Sequence, residues 1–174
     1  MKIIVDKSIA DLGKKTIVLA IAKHVNPSAS LSENFLAKQK EMEEWALQCD
    51  AEEALKHPVN QGYVDSISAV GRSTKKNPPT AIALIQNIKR RGSIPHINSI
   101  VDIYNVESLR SFLAIGGHDY DKIDEEICFT VSKKEDVFYP ILAPEKYVAE
   151  TDYVYKDKKG IICLLYTSDA ADEE

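Results

Sequence analysis

The stretch Glu126-Ile127-Cys128-Phe129-Thr130-Val131-Ser132 alternates with a period of two. Ile127, Phe129 and Val131 share one face, Cys128, Thr130 and Ser132 the other, and that pattern predicts a strand. The residues before it keep a different period. Behind Pro95 and Asn98, the apolar positions Ile100, Val101, Ile103, Val106, Leu109 and Leu113 recur at helical spacing, which predicts a helix running to a stop at Gly116-Gly117. One switch of period, from helical to strand, predicts an α+β chain with a mixed sheet, helices and a single domain.

Working outward, a further helix is predicted from Thr80 through Ile82, Ile85 and Ile88 to Gly92, after the break at Asn77-Pro78-Pro79. An amphipathic helix is predicted after Ser32, which is placed to cap it, with Leu31, Phe35, Met42, Trp45 and Cys49 facing the core and Glu33, Glu41, Glu43 and Glu44 in water. Lys2–Val5 and Lys15–Val25 are rich in Ile and Val and flank Asp11-Leu12-Gly13-Lys14, so they read as the two strands of a hairpin. After the central strand and a charged turn, Val137, Tyr139 and Ile141 continue the alternation, making the C-terminal third sheet. Internal repeats and low-complexity runs are absent from the sequence.

At 174 residues, with 44% hydrophobic and 28% charged residues, the chain has room for one core. Its apolar runs fall far short of the roughly 18 residues of a membrane span, and its first residues lack the features of a secretory signal. A cytoplasmic protein with no membrane partner is expected. Cys49, Cys128 and Cys163 are odd in number and widely spaced, so reduced core thiols are expected, with no metal site.

Four acids and no base fall in Cys163–Glu174 and account for most of the formal charge of −5. The string from Cys163 to Glu173 resembles a translated sequencing-library adapter. The expectation is therefore a domain over residues 1–162, incomplete at its C-terminus, followed by a foreign tail over 163–174. Such a fragment would be poorly soluble or only partly folded, because truncation leaves a sheet edge open.

Between Asp65 and Asp102 there is no acid, while Arg72, Lys75, Lys76, Lys89, Arg90 and Arg91 supply six positive charges. Clustered Lys and Arg favour a phosphate-bearing partner; the alternative is a solvated loop and a helix end whose dipole the cations complement. Among the histidines, His118 stands in Gly116-Gly117-His118-Asp119-Tyr120-Asp121. The glycines admit a ligand closely, and an imidazole beside carboxylates can orient water or take a proton near neutral pH, or it can simply cap a turn. His24, His57 and His96 read as structural. No GxSxG, Walker, GxGxxG or HExxH motif occurs, so nucleotide hydrolysis, hydride transfer and zinc peptidase chemistry have no sequence support, and no cofactor is expected.

The block Arg90-Arg91-Gly92-Ser93-Ile94-Pro95-His96-Ile97-Asn98-Ser99-Ile100-Val101-Asp102-Ile103-Tyr104-Asn105, followed by Ile115-Gly116-Gly117-His118-Asp119-Tyr120-Asp121, resembles the B3/B4-type tRNA-binding domain of the phenylalanyl-tRNA synthetase β subunit, and among its members the free-standing ones. The likeness is good from about residue 70 to 141. It implies a B3/B4-like fold and a tRNA partner met at its aminoacylated 3′ end, with no DNA. In the synthetase this domain edits, hydrolysing the ester between tRNA and a wrongly chosen amino acid. His118 matches a histidine that follows the corresponding helix in editing synthetases. Gly116, Gly117 and Asn105 are the implied substrate-side residues, with Asp102 and Asn105 as builders of the helix and loop. The family's carboxylate for a tyrosine hydroxyl, and the Arg- and Trp-containing segment of free-standing members, have no counterpart before Cys163.

Two classes of function follow. One is a hydrolase acting in trans on mischarged tRNA, the six cations holding phosphates and His118 positioning water. The other is a non-catalytic module that grips tRNA or a free amino acid with the same surface, or a remnant kept as an interaction surface.

Overall fold

The computed structural model describes residues 1–11, 16–139, 146–148, 150 and 152–164. Within them the chain is α+β. The helices are α1 (Lys7–Asp11), α2 (Glu33–Gln48), α3 (Ala51–Leu55), α4 (Pro58–Ala69), α5 (Thr80–Arg91) and α6 (Ser99–Ser111), and the strands are β1 (Lys2–Val5), β2 (Glu126–Val131), β3 (Val137–Phe138), β4 (Lys146–Tyr147), β5 (Tyr153–Lys156) and β6 (Ile161–Leu164). The strands form one mixed sheet in the order β1-β2-β5-β6-β3-β4. β6 thus crosses the expected boundary at residue 162.

Helix starts follow local chemistry. Ser32 Oγ accepts the N–H of Phe35 and opens α2, and Asn98 Oδ1 accepts from Ile100 and Val101 and opens α6. Gly92, at φ 93°, closes α5 in the left-handed conformation that glycine adopts without strain. α5 is the keel of the helical layer. Its Ile82, Leu84, Ile85 and Ile88 are buried with Ala46 of α2, Ala54 of α3, Ile94, and Val106 and Leu109 of α6. Each such Leu or Ile contributes about 1.5–3 kcal/mol through burial.

The sheet carries a separate cluster on each face. Ile127 and Phe129 of β2 pack with Ile9 of α1 and with Ile17, Ile123, Tyr153 and Tyr155. Phe138, Val148, Val154, Ile161 and Leu164 form the other. No helix among the described residues is long and apolar enough to cross a membrane, and Cys49, Cys128 and Cys163 are half-buried rather than core thiols.

Several expectations are corrected. Lys2–Val5 does not form a hairpin with Lys15–Val25. β1 runs parallel to β2, Ile3 beside Ile127 and Val5 beside Phe129, because Asp6 accepts from the backbone and hydroxyl of Ser8 and turns the chain into α1. Residues 16–25 form no strand and lie mostly exposed, whereas residues 12–14 of the expected turn and residue 15 of the expected strand lie outside the described residues. α3 and α4 were not foreseen. Trp45 sits at the rim, edge-on to Phe112 at 6.0 Å, and Glu43 turns inward to accept the N–H of Ile94. α6 ends at Phe112, not at the glycines. Phe112 takes the left-handed conformation at φ 58°, an unfavourable one for a residue with a Cβ, and its ring is held between Trp45 and His57. In β3 the inward residue is Phe138, while Tyr139 is exposed, since β3 pairs with β6 and faces the second cluster. Ile141 lies outside the described residues.

Candidate functional site

The segment between α6 and β2 is fixed by hydroxyls. Three consecutive backbone N–H groups donate to side-chain oxygens: Leu113 to Ser111, Ala114 to Tyr63 of α4 at 2.9 Å, and Ile115 to Ser108. These N–H groups lie past the end of α6, where no helical carbonyl follows to accept them, and the three hydroxyls take that place. Gly117 follows directly over the ring of Tyr104, where an added Cβ would stand 3.4 Å from Cε1; at Gly116 an added Cβ would meet nothing within 4 Å. The two glycines therefore differ in role. Gly117 accommodates Tyr104, and Gly116 leaves open space.

His118 comes next. Its Nε2 shares a hydrogen bond with the hydroxyl of Tyr155 on β5, and the two rings meet edge to face with centroids 5.1 Å apart. Tyr155 in turn lies against Phe129 of β2 at 5.2 Å. The residue as a whole stays open to solvent, but desolvation of the ring by these neighbours holds its pKa below the ordinary histidine value. A neutral imidazole at pH 7 results. Its neighbour Asp119 accepts the N–H of Asp121 and caps the 3-10 turn Tyr120–Lys122, so that carboxylate is engaged in the turn. On the same strand as Tyr155, Tyr153 is half-buried and its hydroxyl is pushed up to about 12, by burial first and by nearby Tyr63 second.

Behind this loop, α6 carries a polar row at a spacing of three: Ser99, Asp102, Asn105 and Ser108, all buried. Three of the four hold other segments. Ser99 Oγ donates to Pro27 O at 2.9 Å, Asp102 accepts the N–H of Ile97 and pairs with His96 Nδ1 at 2.5 Å, and Ser108 accepts from Ile115. Asn105, at 0% exposure, has no partner for either end of its amide among the described residues. It is fully enclosed, on the α6 row that also carries Ser108, whose hydroxyl holds the glycine-bearing segment. Asp102 is a builder of the loop before α6, as expected, and the partner it holds there is His96. Nor is His57 idle: its Nδ1 accepts from Val59 and caps α4.

The six cations do not form one patch. Arg72 is engaged by the buried carboxylate of Asp152, with Nε donating to Oδ1 at 2.8 Å and Nη2 to Oδ2. Lys75 and Lys76 are exposed in the turn before α5. Lys89, Arg90 and Arg91 stand at the other end of that helix, about 18 Å along for 12 residues. There Lys89 donates to Leu47 O and Arg90 to Asn87, and all three complement the helix dipole. Arg72 reaches Asp152, the residue before β5, and so ties the segment that leads to Lys75 and Lys76 to the start of that strand.

Two residues of the site were not read from the sequence. Tyr155 and Tyr63 are far from His118 in sequence, and only the sheet and α4 bring them to the loop. Among the described residues, no group of three or more His, Cys, Asp or Glu is placed to hold a metal ion.

Comparison with the curated proteins and with solved structures gives no match. The family model for the B3/4 domain matches residues 63–174, which takes in the latter part of α4, α5, α6, the glycine loop and the strands from β2 onward. With more than half of its length matched, the chain belongs to the B3/4 domain family.

Proposed function

We propose that this domain binds the aminoacylated end of tRNA and hydrolyses the ester of a mischarged amino acid in trans. The B3/4 domain family is associated with the phenylalanyl-tRNA synthetase β subunit, which supplies the substrate class. The observation that carries the reading is His118: an imidazole held neutral at the open end of a glycine loop, one nitrogen engaged by Tyr155 and the other without a partner among the described residues.

An aminoacyl ester is already activated, so positioning a water accounts for much of the chemistry. Water adds to the ester carbonyl as the imidazole takes its proton. The tetrahedral intermediate then expels the ribose oxygen, which receives that proton, and free amino acid and tRNA leave. Gly116, with open space beside it, lets the ester approach the backbone, while Gly117 seats the loop on Tyr104. Lys75 and Lys76, both exposed, meet the phosphates of the acceptor strand.

A deacylation assay with mischarged tRNA tests this. Wild type is expected to release the amino acid and His118→Gln to lose about 10²-fold in rate. Equal rates in the two proteins would overturn the role of His118, and tRNA binding without hydrolysis in either would make the domain a binding module.

A further inference from the structure

The contact between His118 and Tyr155 joins a loop to the middle of a sheet across 37 residues of sequence. It has two parts, a hydrogen bond at Nε2 and an edge-to-face ring contact at 5.1 Å. Tyr155 is itself fixed, since β5 pairs with β2, Tyr155 beside Phe129, and the two rings touch. A ring clamped in this way offers one defined hydrogen-bonding position. Among the described residues Nδ1 of His118 has no partner, so it is the nitrogen left to face a ligand.

We infer that Tyr155 is the positioning residue for His118: its oxygen accepts the Nε2 proton, which places the imidazole's lone pair on Nδ1 at the open side of the loop. The inference rests on the hydrolase reading for its consequence, though not for its geometry. The reverse arrangement, with the phenol donating to Nε2, would put a proton on Nδ1 and leave no base toward the substrate. Among the described residues burial moves the ring's titration and no charged group is a cause of the shift. β2 contributes Phe129, α6 contributes Tyr104 behind Gly117, β5 contributes Tyr155 with Tyr153 two residues away, and on the loop Asp119 is engaged in its own turn.

The two arrangements predict opposite titrations. An acceptor at Nε2 stabilises the imidazolium more than the neutral ring, because the cation is the better donor, and a donor at Nε2 stabilises the neutral ring. The test is nitrogen and carbon NMR of His118 across pH in the full chain, for wild type and for Tyr155→Phe, which keeps the ring contact. The expected result is a neutral wild-type ring protonated at Nε2, and a His118 pKa lower by about 0.5 in Tyr155→Phe. A rise, or no change, overturns the assignment. So does a wild-type ring protonated at Nδ1, which needs no variant to observe. In the deacylation assay Tyr155→Phe should lose about 10-fold in kcat with KM unchanged, the acid limb of its pH profile following the NMR value. Should wild type show no hydrolysis at all, the hydrolase reading fails while the titration still decides what Tyr155 does.

Discussion

Arg72 closes its guanidinium on the carboxylate of Asp152, joining the turn after α4 to the residue that precedes β5, 80 positions away. Asp152 is almost fully buried, at 1% exposure, and its own N–H is taken by Ser132 Oγ. Removing Arg72 leaves a buried carboxylate without its counter-charge, which costs more than the pair contributes. Arg72→Ala is therefore expected to lower stability by about 2 kcal/mol, discounted for the exposed side of the arginine. Urea denaturation checks this. The slope of tRNA affinity against salt should stay unchanged in that variant, because this arginine meets Asp152 and not phosphate.

The two lysine and arginine groups should behave differently. Lys75→Ala with Lys76→Ala is expected to weaken tRNA binding and to reduce the salt slope by about 2, at roughly 0.7 to 0.9 per lost phosphate contact. The triple change at Lys89, Arg90 and Arg91 should leave the slope alone and reduce stability slightly through the dipole of α5. Filter binding at several salt concentrations distinguishes them, and the opposite pattern would move the tRNA to the far end of α5.

His118 links stability to pH. Its folded pKa is lowered by desolvation, so between that value and the ordinary 6.5 the unfolded chain binds more protons than the folded one. Stability is then fully present above about pH 6.5 and is lost as pH falls through the folded value. The melting temperature of wild type should drop over that window more than that of His118→Gln. Equal drops in the two would show that the ring is not desolvated in solution.

Among the described residues Asn105 has no partner for either end of its buried carboxamide. A buried polar group without partners costs about 1–3 kcal/mol relative to an apolar group of the same shape. Asn105→Leu is expected to stabilise by about 1 kcal/mol, read as a higher urea midpoint. A lower midpoint would mean that the amide holds a buried water or ligand whose bonds the leucine cannot make.

What the sequence disclosed was local. Ser32 before Phe35, Gly92 after Ile88 and the alternation at Ile127 and Phe129 each act within a few residues, and the structure places α2, α5 and β2 accordingly. The failures were non-local or unusually capped. α3 and α4 are short, opened by Asp50 and by a histidine, His57, which rarely serves as a cap. The expected hairpin failed because the partner of β1 is β2, more than 120 residues further on. At the site, His118 and its glycines stood out by type and spacing. Tyr155, Tyr63 and the pairing of His96 with Asp102 did not, since each depends on elements that meet only after packing, or on a turn that folds six residues back on themselves.

The parallel pairing of β1 with β2 also sets an order of events. While the chain is being made, Lys2–Val5 must wait until Glu126–Val131 has emerged before its ladder can close, and the loop so closed is among the longest the chain can form. The helical layer has no such delay, because α2, α3, α5 and α6 find one another within residues 33–111. Contacts near in sequence form early and those of high contact order late. Folding thus proceeds from the α5 keel outward, and the glycine loop, whose Ser108 and Tyr63 tethers belong to the helices and whose Tyr155 contact belongs to the sheet, acquires its final shape only in the last step.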